Sequence, residues 1–219
     1  MGNPQYKYRF ERKYNLNEIQ LFKLKHLILN SSLVEHHPPR WINNLYFDSL
    51  SYNSYHENVE GLSDRKKVRI RWYGTQFGAI KPTFEVKIKS EYVNRKESTK
   101  LKKIIVQDKT AFDSLKDDAL QELMKQESKN YTILSTSYPS LLNRYYREYY
   151  ISNDRSTRLT IDQSMWFYNF KSKKEHADVN HVVMEIKYKS DSKMGFDVSE
   201  FNLQLDKSSK YVLGLDLTA

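Results

Sequence analysis

Glutamate and basic residues alternate in three short stretches of this chain: Glu11-Arg12-Lys13, Glu85-Val86-Lys87-Ile88-Lys89 and Glu185-Ile186-Lys187-Tyr188-Lys189. A fourth stretch, Arg65 to Trp72, places Arg65, Lys67, Arg69 and Arg71 at every second position. Residues i and i+2 of a β-strand point to the same face, so each stretch, read as a strand, sets a charged row opposite an apolar one. One such row is an ordinary solvated face. Several rows, basic with an occasional Glu, suit a shared surface that holds a polyanion and a metal ion.

The chain has 219 residues, which predicts a single domain over 1–219 with room for a sizeable core. Its 17 Tyr, 10 Phe and 3 Trp argue against disorder, and with 6 Gly and 5 Pro no low-complexity linker is expected. A formal charge of +9 favours an anionic partner; nucleic acid is the bland explanation of such a charge. The chain has no Cys, which excludes disulfides, thiolate metal sites and a Cys nucleophile. No apolar run approaches the roughly 18 residues of a membrane span, and residues 1–7 lack a signal-peptide core, so the expected location is cytoplasmic.

The elements that would position the rows follow from local pattern. Residues 6–14 read as a strand, and Asn17 with Gln20 as a capping box for a helix to about Asn30, whose Ile19, Phe22, Leu24, Leu27 and Ile28 are expected in the core. His36-His37-Pro38-Pro39 reads as a loop before a strand at 41–48. Further strands are predicted at 65–73, 82–90, 94–106, 142–151, 157–169 and 181–189, with Gly74 and Gly78 turning between the first two. A helix over 108–127 carries Phe112, Leu115, Ala119 and Leu123 on one stripe. Phe196, Val198 and Phe201 belong to a short helix or loop.

About eight long strands and two substantial helices, mostly with short connections, imply antiparallel pairing, and eight strands can close into a barrel. The usual arrangement would put the apolar rows inside. Helices outside could instead cover those rows, leaving charge to line the interior; pattern alone leaves both open.

Taken in order, the segments resemble a known family. These are Tyr8 to Tyr14, Tyr46-Phe47-Asp48, Lys67 to Gly74, Phe84 to Lys87, Tyr145-Tyr146-Arg147, Arg158 to Asp162, Met184 to Tyr188 and Ser209 to Gly214. Together they are similar to the VTC domain, the catalytic domain of vacuolar transporter chaperone polyphosphate polymerases, within the triphosphate tunnel metalloenzymes. The resemblance implies a mainly β (α+β) fold: an eight-stranded antiparallel β-barrel tunnel with flanking helices. It also implies a basic interior, a divalent Mn²⁺ or Mg²⁺, and transfer of the γ-phosphate of ATP to a growing polyphosphate chain. The implied partners are ATP, inorganic polyphosphate, triphosphate or pyrophosphate; nucleic acid is not expected.

By the same resemblance, Lys13, Arg69, Arg71, Lys87, Arg147, Arg158 and Lys210 are the catalytic basic residues. Lys96 (or its neighbour Arg95), Lys187, Ser209 and Tyr145 are phosphate-binding positions, and Glu185 with Glu11 would hold the metal. The residue types suit this chemistry. Phosphoryl transfer needs positioning and charge neutralisation more than covalent work by the protein. Arg offers forked donors and Lys a compact charge, while carboxylates are hard ligands for Mg²⁺ or Mn²⁺. Arg9 stands where wider relatives carry a first carboxylate, leaving fewer acidic ligands for a second ion. The six His show no metal-ligand spacing and read as structural or exposed. A triphosphate hydrolase and a non-catalytic polyanion-binding module remain as alternatives.

Overall fold

The computed structural model describes residues 9–90, 94–108, 112–189, 203, 205 and 209–219. The predicted element around Phe196, Val198 and Phe201 lies outside them. The chain divides into two compact units, each drawn from separated stretches: 1–40, 145–165 and 178–207 in the first, 41–144, 166–177 and 208–219 in the second.

In the first unit, β1 (Arg9–Leu16) pairs antiparallel with β11 (Val182–Lys189), which pairs with the early part of β9 (Thr157–Asn169). The unit also takes the start of β2 (Leu33–Asp48) and the end of β8 (Tyr138–Ser152). The helix α1 (Glu18–Leu29) opens on the expected capping box: Asn17 Oδ1 accepts from Gln20 N at 2.8 Å, and Gln20 Oε1 accepts from Asn17 N at 2.9 Å. Leu24 and Ile28 of α1 close a core with Tyr14, Leu159, Ile161, Met184 and Ile186. Ile19 and Phe22, expected in that core, are 68% and 64% exposed. At 100° per residue they lie on a different stripe from Leu24 and Ile28, and one helix presents one stripe to one sheet.

The second unit contains β3 (Arg65–Tyr73), β5 (Thr83–Lys89) and β6 (Asn94–Lys100) beside the end of β2, all antiparallel. Val68, Ile70, Trp72, Phe84 and Val86 pack as a buried cluster with Phe112, Leu115, Ala119 and Leu123 of α3 (Phe112–Lys125). The stripe read from sequence is thus the buried face of α3, and in both units a helix covers the apolar row. The remaining helices are α2 (Asn53–Val59), α4 (Asn130–Ser135) and α5 (Lys210–Leu217), and β10 (Glu175–Asp178) pairs with β9.

The main ladder order is β1-β11-β9-β8-β2-β3-β5-β6. Eight antiparallel strands lie on this path with helices flanking them, the mainly β, tunnel-like fold that was expected; among the described residues β1 and β6 do not pair, so the sheet is not closed. Two local expectations also change. Residues 36–39 are strand, not loop: the β2–β3 ladder begins at Ile42, so on that edge a proline without N–H forfeits no ladder bond. The predicted strand 94–106 is two strands. Leu101 N donates to Pro82 O at 3.0 Å, ending β6, and β7 (Ile104–Val106) pairs instead with β4 (Gly78–Ile80) in a separate sheet. Gly74 (φ 88°) and Gly78 (φ 99°) supply the left-handed turns there. Among the described residues no helix is long and apolar enough to cross a membrane.

Gly214 of α5 is fixed by close approach. A Cβ there would sit 2.6 Å from Leu141 Cδ2 and nearer still to Phe167 Cδ1, and both side chains are fully buried. Gly214→Ala should therefore destabilise the protein by roughly 1–3 kcal/mol through overpacking, although Ala favours helices. A lowered urea midpoint at constant slope is the expected reading.

Candidate active site

Cross-strand register builds the first cluster, in the first unit. Glu11, Lys187 and Arg158 stand opposite one another across β1, β11 and β9; Lys13, Glu185 and Thr160 form the adjacent same-face rung. The four charges on β1 and β11 make a checkerboard. Glu185 lies 2.7 Å from Lys187 Nζ and 4.0 Å from Lys13 Nζ, and Glu11 lies 3.5 Å from each lysine. Burial alone would push the Glu185 carboxyl up, but Lys187, Lys13 and Arg147 hold it down to about 2. Burial would lower Lys187, yet Glu185 and Glu11 raise it.

Arg147, on β8 next to β9, forks onto Asp162, whose Oδ2 accepts from Nη2 at 2.6 Å. Asp162 has no exposed surface, and the guanidinium also lies 5.3 Å from the ring centre of buried Tyr145. Burial disfavours the Arg147 charge, but Tyr145, Asp162 and Glu185 raise its pKa well above the usual value. A pocket of about 240 Å³ opens over these groups, lined by Arg40, Arg147, Arg158, Lys187, Glu185 and Thr160 with the rings of His36, His37, Tyr149 and Tyr150.

The second cluster, in the second unit, centres on Glu85. Arg69 Nε and Nη2 donate to Glu85 Oε2 at 2.8 and 2.6 Å; Lys96 Nζ lies 2.5 Å from Oε1, and Arg71 Nε 4.0 Å from Oε2. Arg71 Nε also donates to Asn44 Oδ1 at 2.8 Å, whose amide donates to Asn143 Oδ1 at 2.7 Å. Burial raises the Glu85 carboxyl, but Arg69, Arg71 and Lys96 bring it to about 2. On the next rung Lys67, Lys87 and Lys96 stand directly opposite one another across β3, β5 and β6. Like charges in that position repel.

Register therefore brings Glu11, Lys13, Arg147, Arg158, Glu185 and Lys187 together in one unit, and Arg69, Arg71, Lys87 and Lys96 in the other. Of the two neighbours on β6, Lys96 joins the row, while Arg95 pairs with Glu97. Tyr145 is 2% exposed, under Arg147. Ser209 caps α5, accepting from Val212 N at 3.2 Å, and Lys210 is the first helical residue. Glu85, Lys67 and Asp162 lie in stretches named from sequence but were given no role of their own, and Asn44 was not singled out. A signal existed for Glu85, which heads the same Glu-x-Lys-x-Lys pattern as Glu185.

Among the described residues no group of three or more His, Cys, Asp or Glu could enclose a metal ion. Glu185 and Glu11, linked through Lys13 and Lys187, nonetheless fit a hard divalent cation of the kind held by one or two carboxylates, with water and phosphate oxygens completing its shell. The ionised state of Glu185 suits that use.

The family model described as VTC domain matches residues 8–218. The chain belongs to the VTC domain family. Both clusters of this VTC domain, and all eight segments that carry the resemblance, fall inside the match. Among solved structures it is similar to a "putative adenylate cyclase" from Vibrio parahaemolyticus, with 12% identity over 86% of this chain and 80% of that one. The TM-score is 0.45, too distant a likeness to carry any residue's role across. No curated protein matches.

The Glu85 cluster predicts a pH dependence. A carboxyl held at about 2 in the folded chain, against an ordinary 4.5, contributes stability that is complete above pH 4.5 and lost as pH falls towards 2. Thermal unfolding midpoints should drop through that window, and Glu85→Gln should make the drop shallower. An equal drop in the variant would place the linkage elsewhere.

Proposed function

We propose that this VTC domain is a metal-dependent polyphosphate polymerase that transfers the γ-phosphate of ATP to the end of a polyphosphate chain. The observation that carries the reading is the rung of Lys67, Lys87 and Lys96 beside Arg69 and Arg71. Three lysines aligned across three strands, Lys96 already drawn to Glu85, concentrate positive charge that a polyanion would share, and a chain of phosphates is the anion whose spacing repeats. Glu185 and Glu11 favour a metal-assisted reaction over simple anion binding, since binding alone needs no carboxylate.

In this reading a terminal oxygen of the acceptor chain attacks the γ-phosphorus, the bond to the β-phosphate oxygen breaks, and ADP leaves. Arg147, Arg158, Lys13 and Lys187 orient the transferring group and neutralise its oxygens in the first unit. Arg69, Arg71, Lys87 and Lys96 hold phosphates in the second, with Lys210 and Ser209 as further donors at the start of α5. Glu185, with Glu11, would hold Mn²⁺ or Mg²⁺, which supplies positive charge to phosphate oxygens when bound. Triphosphate or pyrophosphate would serve as the shortest acceptors.

Incubation with ATP and Mn²⁺ tests this. The expected products are ADP and a ladder of long polyphosphate, sensitive to exopolyphosphatase, on a gel. Arg158→Ala should abolish the ladder, because a forked donor on a transferring phosphoryl group is worth on the order of 10³ in rate. Orthophosphate stoichiometric with ADP, and no ladder, would establish a hydrolase instead. Tight polyphosphate binding with neither product would leave a binding module.

A further inference from the structure

The charges that the sequence motifs select in the first unit are largely satisfied by one another. Lys187 and Lys13 are shared between Glu185 and Glu11, and Arg147 is forked onto Asp162. A phosphate entering the pocket also meets a wall those motifs do not include, contributed by β2. His36 and His37 lie ring to ring, 4.0 Å between centres, and His37 meets the edge of Tyr149 at 5.7 Å. Arg40 lies 5.1 Å over the Tyr149 ring and donates from Nε to its hydroxyl at 3.3 Å. All four line the pocket, whose charged lining is Arg40, Arg147, Arg158 and Lys187 against Glu185 alone.

We propose that His36, His37 and Arg40 form a phosphate subsite on the β2 wall of this pocket, one that takes up its oxyanion together with a proton. The inference rests on the reading of the pocket as a phosphate site and extends it to residues outside the motifs. Geometry supplies the first half: two exposed imidazoles and a guanidinium ordered by Tyr149 face a cation-rich cavity.

Electrostatics supplies the second half. His36 faces His37 on its own strand and Arg155 and Arg158 from the turn into β9 and from β9 itself; desolvation and these neighbours lower its pKa. The other charged groups around the pocket are Arg40 and Glu35 on β2, Arg147 on β8, and Lys187 and Glu185 on β11. With cations in the majority, protonation of His36 is disfavoured while the pocket is empty. A phosphate oxyanion reverses the local sign, so a proton from solvent moves onto an imidazole nitrogen as the anion binds. Affinity then rises as pH falls from 7.5 to 5.5, and one imidazolium hydrogen-bonded to phosphate is worth roughly tenfold.

The test is calorimetric titration of the full chain with tripolyphosphate at pH 5.5, 6.5 and 7.5, in buffers of different ionisation enthalpy. Tripolyphosphate itself titrates in this range, so the reading is the difference between wild type and variants, in which the ligand's own protons cancel. The His36→Gln/His37→Gln double variant should bind about tenfold more weakly than wild type at pH 5.5 and equally at 7.5, with proton uptake reduced. His36→Lys/His37→Lys should keep the tight binding of pH 5.5 at pH 7.5, which a merely structural role would not produce. A double Gln variant that retains the wild-type pH slope and proton uptake overturns the subsite, with the phosphate reading of the pocket intact. Wild-type protein that fails to bind tripolyphosphate at any pH overturns both.

Discussion

Glu185→Gln is expected to reduce ATP turnover at least about a hundredfold while leaving the protein folded and tripolyphosphate binding undiminished. The substitution keeps size but replaces one accepting oxygen with a donating NH2 and removes the charge. Three effects follow. A neutral amide is a poor ligand for Mn²⁺ or Mg²⁺, so the ion that would neutralise the transferring phosphoryl group is lost. Lys187, 2.7 Å away, and Lys13, 4.0 Å away, lose a competing carboxylate and become freer to hold phosphate. The fold loses part of a charge cluster whose lysines are partly exposed, which lowers stability only modestly. Turnover and binding should therefore separate, turnover collapsing as affinity holds or rises. Wild-type turnover in the variant would remove Glu185 from the reaction; parallel loss of both would mark it as a binding residue only.

Arg147→Met should lower stability by about 3–5 kcal/mol and abolish activity together. Its fork is the counter-charge of Asp162, which has no exposed surface. Removing the cation takes the forked counter-charge from a buried carboxylate, and for a chain of this size the unfolding midpoint should fall by roughly 10 °C. The double variant Arg147→Met/Asp162→Leu separates the two roles. Replacing both partners with apolar side chains removes the buried charge as well, so much of the stability should return. Activity should not return, since the guanidinium is also a lining group of the pocket. Recovery of activity in the double variant would reduce Arg147 to a structural ion pair.

The rows of charge were legible in the sequence because side-chain direction in a strand is local. Once 65–73, 83–89 and 182–189 are strands, alternation dictates that Arg69 and Arg71 share a face, as do Glu185 and Lys187, with no knowledge of what lies beside them. The α3 stripe and the Asn17–Gln20 capping box were legible for the same reason, each depending on residues within a turn or two. Family membership was legible too, because it rests on the order of such local segments.

Tertiary structure decided everything set by register. That Lys67, Lys87 and Lys96 form one rung, and that Glu85 sits inside the fork of Arg69, depends on how β3, β5 and β6 slide past one another. A slip of one residue would turn each row to the other face, so burial of the apolar rows selects the pairing. The division of 94–106 between two sheets, the strand through Pro38 and Pro39, and the exposure of Ile19 and Phe22 share that cause. Each depends on what the neighbouring element offers, and the neighbours are distant in sequence. Arg40, His36 and His37 reach the pocket for this reason alone: β2 carries them into the unit that holds Glu185, over a hundred residues away along the chain.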